Sequence, residues 1–143
     1  MQTFLPYSNF VLSASVLDRQ RLGKQRSEGL QILQALIRTT GWSNHSATRM
    51  WRGYERALCR YTIDVCDEWI GRGYVDNVKP QIEQMLAEHP WPEIDSPWLG
   101  NRVFHMSHQS NLIRKDPEFY GPRFPGIGPG IPYVWPSETS SVG

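Results

Sequence analysis

Residues 46–73, Ser46-Ala-Thr-Arg-Met-Trp-Arg-Gly-Tyr-Glu-Arg-Ala-Leu-Cys-Arg-Tyr-Thr-Ile-Asp-Val-Cys-Asp-Glu-Trp-Ile-Gly-Arg-Gly73, decide the fold class. Ala47, Met50, Trp51, Tyr54, Ala57, Leu58, Tyr61, Val65 and Trp69 return every three or four residues, the period of one buried helical face. The spacing predicts a single long helix, with Ser46 as its N-cap and Gly71 and Gly73 as its stop. Cys59 and Cys66 sit on it seven residues apart, roughly 10 Å along a helix axis and too far to pair within it. They read as buried thiols in a reducing cytoplasm.

Upstream, a helix is expected from Ser13 or Ser15 to Thr39-Thr-Gly41, with Leu22, Leu30, Leu33, Leu36 and Ile37 inward and Arg26 as a polar interruption. Asn44-His45 lies in the loop that follows. Downstream, Asn77 with Pro80 in the first turn opens a short acidic helix to Glu88. Two breaks follow, at His89-Pro-Trp-Pro and at Ser96-Pro-Trp-Leu-Gly100. A fourth helix is expected from Asn101 to Lys115, with Val103, Met106, Ser110 and Ile113 inward, ended by Asp116-Pro117. The Pro/Gly-rich stretch from Gly121 is too apolar for a free linker, so it is expected to lie along the helices, anchored by Tyr133 and Trp135. No segment shows strand alternation. The expectation is a compact all-α domain of about four helices over residues 1–136, with 137–143 as a flexible tail.

Composition sets the outer bounds. The 143 residues suffice for one core, and 39% hydrophobic with 20% charged residues is ordinary for a globular chain. No apolar run reaches the length of a membrane span, and the first residues lack a basic flank with an apolar stretch, so a cytoplasmic protein is expected. The net charge of +1 conceals a gradient. Residues 1–60 carry nine Lys and Arg against three acids, residues 61–100 two against eight, and residues 101–143 four against three. The basic first part is able to present a local field to phosphates, although scattered surface arginines would give the same count.

Within that part, Arg21, Lys24 and Glu28 fall on one face of the first helix, flanked by Arg19 and Arg26. A solvated face with an i,i+4 ion pair is the bland account. A lone carboxylate among phosphate-binding cations is the alternative, and it suits a reaction that develops positive charge on a sugar. His105 and His108, one helical turn apart, have no Cys or acidic companion at ligand spacing, so structural or DNA-contacting histidines are expected rather than a metal site. Arg114-Lys115 followed by Phe119-Tyr120 fits nucleic acid or simple helix termination. No Gly-rich phosphate loop and no nucleophile elbow is present.

Three segments in order resemble the pyrimidine-dimer DNA glycosylase (endonuclease V) family, in its bacterial branch. Leu17-Asp-Arg-Gln-Arg-Leu-Gly-Lys-Gln-Arg-Ser-Glu28 is similar to the family's run leading into its catalytic glutamate. Asn44-His45 and the long aromatic helix closing on Gly71-Arg-Gly-Tyr74 form the second segment. The third runs from His108 through Leu112-Ile-Arg-Lys-Asp-Pro-Glu-Phe-Tyr120. The resemblance implies an all-α, cofactor-free, monomeric enzyme that binds double-stranded DNA, flips a nucleotide and cleaves its N-glycosidic bond. Glu28 would be the catalytic carboxylate. Arg19, Arg21, Lys24 and Arg26 would hold phosphates, with Arg114 and Lys115 also on the DNA. Asn44, His45 and His108 would sit at the mouth of the site, and Phe119 and Tyr120 near the lesion.

The phage-type members use an α-amine exposed by removal of Met. Here Gln2 is bulky enough to leave Met1 in place. Three nucleophiles therefore stay open: the Met1 amine, Lys24, or water activated beside Glu28, only the first two of which give an abasic-site lyase. Excision of hypermodified phage bases and a non-catalytic nucleic-acid-binding module are the alternative readings.

Overall fold

The computed structural model describes residues 2–38 and 41–136, and among them every regular element is helical. The α-helices are α1 (Phe10–Ser15), α2 (Arg19–Arg38), α3 (Ser46–Arg49), α4 (Glu55–Gly71), α5 (Lys79–Glu88), α6 (Arg102–Lys115) and α7 (Pro117–Tyr120). A 3-10 turn spans Gly41–Asn44 between α2 and α3. No helix is long and apolar enough to cross a membrane. The tail expected at 137–143 lies outside the described residues.

Helix α4 is the centre of the packing, against α1, α2 and α5. Ala57, Leu58, Tyr61 and Val65 of the stripe read from the sequence are buried on it, together with Cys59, Thr62 and Cys66, and Trp69 is partly buried. The α2–α4 approach depends on Gly29. A Cβ there would stand 2.3 Å from Thr62 Oγ1 and 2.8 Å from its Cγ2, well inside contact distance. Leu22, Gly29, Ile32 and Leu33 are buried on the apolar face of α2, while Leu30 and Leu36 are half-buried at its margin and Ile37, expected inward, is exposed.

Four further expectations are corrected. The helix expected from Ser46 to Gly71 is two helices, because Gly53 turns at φ 89° and breaks it between Arg49 and Glu55. Its first cap is His45, whose Nδ1 accepts from the Ala47 N–H at 3.0 Å, and not Ser46. The helix expected to begin at Ser13 or Ser15 is also divided. Asn9 caps α1, and Asp18 opens α2 by accepting the Arg21 N–H at 3.3 Å. The expected end of that helix falls partly on Thr39 and Thr40, outside the described residues.

The inward face of α6 is the fourth correction. Val103 is 61% exposed, while His105, Ser107 and His108 are buried beside Phe104, Leu112 and Ile113. A polar face is buried there because it binds two irregular segments, the N-terminal one described below and the C-terminal one. Ser110 Oγ accepts the Ile131 N–H at 2.9 Å and Ser107 Oγ the Val134 N–H at 3.2 Å. Arg114 donates to the Pro129 and Ile131 carbonyls at 2.6 and 2.8 Å. The Pro/Gly-rich stretch does lie along the helices, through those bonds and through Tyr133 and Trp135.

Candidate active site

Residues 2–7 form no helix and join no sheet, so their backbone groups need partners from elsewhere. Side chains supply them. The Phe4 N–H donates to Gln25 Oε1 at 3.0 Å, and Gln25 Nε2 donates to the Gln2 carbonyl at 2.9 Å. The Tyr61 hydroxyl lies 2.8 Å from the Phe4 carbonyl and 2.6 Å from Gln25 Oε1. The Leu5 N–H donates to His108 Nδ1 and the Leu5 carbonyl accepts from His105 Nδ1, both at 2.8 Å. Gln109 Nε2 reaches the Pro6 carbonyl at 2.8 Å, and the Tyr133 hydroxyl reaches the Thr3 carbonyl at 3.3 Å. Trp51 Nε1 donates to Thr3 Oγ1 at 3.1 Å.

Glu28 stands where this segment meets α2. Its side chain is 13% exposed, and its Oε2 accepts the second Gln25 Nε2 hydrogen at 2.9 Å. Lys24 Nζ lies 3.9 Å from Oε1, but its own side chain is 74% exposed, so solvent screens this pair. Gln2, Phe4, Arg21, Lys24, Gln25, Glu28 and Lys115 line one pocket of about 200 Å³. One carboxylate thus shares a small polar pocket with three cations drawn from α2 and the end of α6.

Around it, burial holds the His45 ring below its ordinary value, with Arg49 adding to the effect and the Glu28 charge opposing it. Burial also pushes the Tyr133 phenol well up, and the Glu28 charge acts in the same direction. Both side chains therefore lie within the field of the Glu28 carboxylate. Rings of His108, Tyr133, Trp135 and His45 follow one another at centroid distances of 4.5, 4.4 and 6.0 Å.

Of the residues singled out in the sequence, Arg21, Lys24, Glu28 and Lys115 come together in the pocket. Met1 lies outside the described residues. Asn44 is exposed beside His45. Arg19 lies over the Tyr74 ring at 6.0 Å. Arg26 is not in the pocket: it pairs with Asp76, whose side chain is 1% exposed, and covers the Trp69 ring at 4.4 Å. Arg114 is bound to the C-terminal segment as described. His108 is wholly buried rather than at a mouth, since its ring holds Leu5.

Tyr120 is buried too, its hydroxyl bonded to the Asp18 carboxylate and accepting the Asp18 N–H. Burial raises the Asp18 carboxyl, but Tyr120 and Arg21 outweigh it and hold the group below its usual range. Phe119 is half-buried under the Arg123 guanidinium, 3.6 Å from its centroid.

Sequence reasoning missed Gln25, Tyr61 and the whole of residues 2–7. Gln25 carried one available signal, a polar residue on the apolar face of α2, where an amide is kept only if it is fully bonded.

A family model for pyrimidine dimer DNA glycosylases matches residues 1–81. No curated protein and no solved structure matches the chain. The matched stretch contains residues 2–7, the Glu28 face of α2, and all of α4.

Proposed function

The chain belongs to the pyrimidine dimer DNA glycosylase family, and we propose that Glu28 is the carboxylate with which it cleaves an N-glycosidic bond in duplex DNA. The observation that carries this reading is Glu28 itself, 13% exposed and held by Gln25, in a pocket whose other charged side chains are Arg21, Lys24 and Lys115. The cations draw phosphates of a nucleotide extruded from the stack. As the bond between the sugar C1′ and the base nitrogen breaks, the base leaves with the electron pair and takes up a proton. The sugar gains oxocarbenium character, which an adjacent carboxylate stabilises.

The atom that then bonds to C1′ is the α-amine of Met1, the amine of Lys24, or a water oxygen. The amines would form a Schiff base and permit strand cleavage by β-elimination; water would leave an abasic site. The Lys24 side chain is mostly exposed. None of these routes requires a cofactor. Arg19, Asn44 and His45 would contact DNA outside the pocket.

The decisive experiment incubates the protein with duplexes containing a cyclobutane pyrimidine dimer and with duplexes carrying hypermodified pyrimidines. Abasic sites are expected from the dimer duplex with wild type and not with Glu28→Gln. Equal product from both proteins, or product from neither, refutes the reading. Borohydride trapping on an abasic duplex, followed by peptide mapping, separates the nucleophiles: an adduct at residue 1, an adduct at Lys24, or none.

A further inference from the structure

Gln25 is 1% exposed, yet its amide is engaged at every position: the nitrogen donates to the Gln2 carbonyl and to Glu28, and the oxygen accepts the Phe4 N–H and shares the single Tyr61 hydroxyl hydrogen with the Phe4 carbonyl. The partners also fix its orientation. The Phe4 N–H is only a donor, so the atom facing it is the oxygen, and the NH2 faces Gln2 and Glu28. One nitrogen therefore joins the Gln2 carbonyl to the Glu28 carboxylate, each 2.9 Å away. With the two N–H bonds about 120° apart, those acceptor oxygens stand roughly 5 Å from each other.

Resting on the reading of Glu28 as the catalytic carboxylate, we propose that Gln25 is a positioning residue for base excision, setting the Glu28 carboxylate and the chain leading to Met1 at a fixed separation across the pocket. Lys24 lies 3.9 Å from Glu28 on a side chain that is mostly in water and cannot serve this purpose. Gln25 is held on its opposite side by Tyr61, itself 0% exposed, so its amide is anchored in the core. Its two faces have separate duties. The oxygen secures the N-terminal segment at Phe4, and the nitrogen joins its Gln2 carbonyl to the Glu28 carboxylate across the pocket.

Gln25→Glu separates these duties, because it is isosteric and keeps the acceptor for Phe4 and Tyr61 while removing both donors. The carboxylate it introduces faces Glu28 at hydrogen-bond distance. Single-turnover excision on a dimer-containing duplex is expected to fall about 100-fold, with the Kd for the same duplex within about threefold of wild type, since misplacement acts on the rate step and not on phosphate contacts. The acidic limb of the pH–rate profile is expected to move to higher pH by about one unit or more, as two facing carboxylates retain a shared proton. Gln25→Met, which keeps the volume and introduces no charge, is expected to lose rate without moving that limb.

Thermal melts of each variant establish that the assay temperature lies below the transition. A Gln25→Glu enzyme that excises at the wild-type rate, or whose loss is wholly in Kd with an unmoved pH profile, overturns this inference and leaves the glycosylase reading standing. A wild-type protein inactive on every duplex overturns that reading and this inference with it.

Discussion

His105 and His108, one turn apart on α6, hold the two backbone polar groups of a single residue, Leu5, and must carry their protons on opposite nitrogens to do so. His108 Nδ1 accepts the Leu5 N–H, which leaves the proton on Nε2. His105 Nε2 accepts the Gly100 N–H at 2.9 Å, which leaves the proton on Nδ1 to donate to the Leu5 carbonyl. A second proton on either ring would face an N–H donor. The Leu5 N–H bond to His108 and the Gly100 N–H bond to His105 last only while those rings are neutral, whereas the Leu5 carbonyl keeps its bond from His105 Nδ1 in either state.

That neutrality makes stability depend on pH. Burial holds His105 below its ordinary value near 6.5, against the opposing pull of the Leu5 carbonyl, and holds His108 further below, with His105 adding to the effect. Above that value the folded and unfolded chains both carry neutral rings, and the contribution is complete. As pH falls, the unfolded chain takes up protons that the folded rings refuse, so stability declines. The melting temperature is expected to be flat from about pH 8 to 7 and to drop below about pH 6.5, with His108→Asn, which retains an acceptor for Leu5, giving a flatter curve. A melting temperature that rises or stays level on acidification to about pH 5 would contradict the assignment.

Gly29→Ala tests the α2–α4 contact. Helix propensity alone favours the substitution by about 1 kcal/mol, but the added carbon meets Thr62 Oγ1 at 2.3 Å. The clash should dominate, for a net loss of roughly 1–3 kcal/mol in chemical denaturation. Pairing it with Thr62→Ala, which vacates the space, should recover much of that loss.

Lys115 and Arg114 are neighbours with different predicted phenotypes. Lys115 lines the pocket, so Lys115→Ala should weaken binding to every duplex and reduce the slope of log K against log salt by about one. Arg114 is committed to the Pro129 and Ile131 carbonyls, so Arg114→Ala should leave that slope unchanged and lower stability by about 1–3 kcal/mol. Salt titrations of DNA affinity and urea melts decide both. Matching phenotypes would refute the division.

Arg26→Gln should behave as a stability variant. It abandons the Asp76 carboxylate at 1% side-chain exposure, and breaking a buried pair from one side costs roughly 3–5 kcal/mol. Burial raises the Asp76 carboxyl, but hydrogen bonds from the Lys79 N–H and Arg26 outweigh that and keep it below its usual range, so the carboxylate remains charged near neutral pH. The salt slope for DNA should not change. A changed slope with an unchanged melting temperature would assign Arg26 to the DNA instead.

Helices α2, α4 and α5 were legible because their partners are local: three-and-four spacing and a Pro80 first turn are properties of neighbouring residues. The break at Gly53 was not legible, since Trp51 and Tyr54 on either side keep the stripe in phase across it. Glu28 was legible through its charge pattern and the family run around it. Its clamp was not, because residues 2–7 have no periodicity of their own and bond to residues up to 130 positions away. The inward face of α6 was misread for the same reason, as its buried histidines and serines make sense only beside the two segments they hold.

Residues 2–6 leave the ribosome before any of the side chains that fasten them, and Gln109 and Tyr133 emerge well after α2 and α4. Gln2 and Phe4 find their partners on α2 and α4, whereas Thr3, Leu5 and Pro6 wait for α6 and the segment after it. A nascent chain stalled before α6 has Glu28 but lacks His105 and His108 to hold Leu5 beside it. The fold thereby ties full fastening of the segment beside Glu28 to the synthesis of α6 and of the segment that follows it.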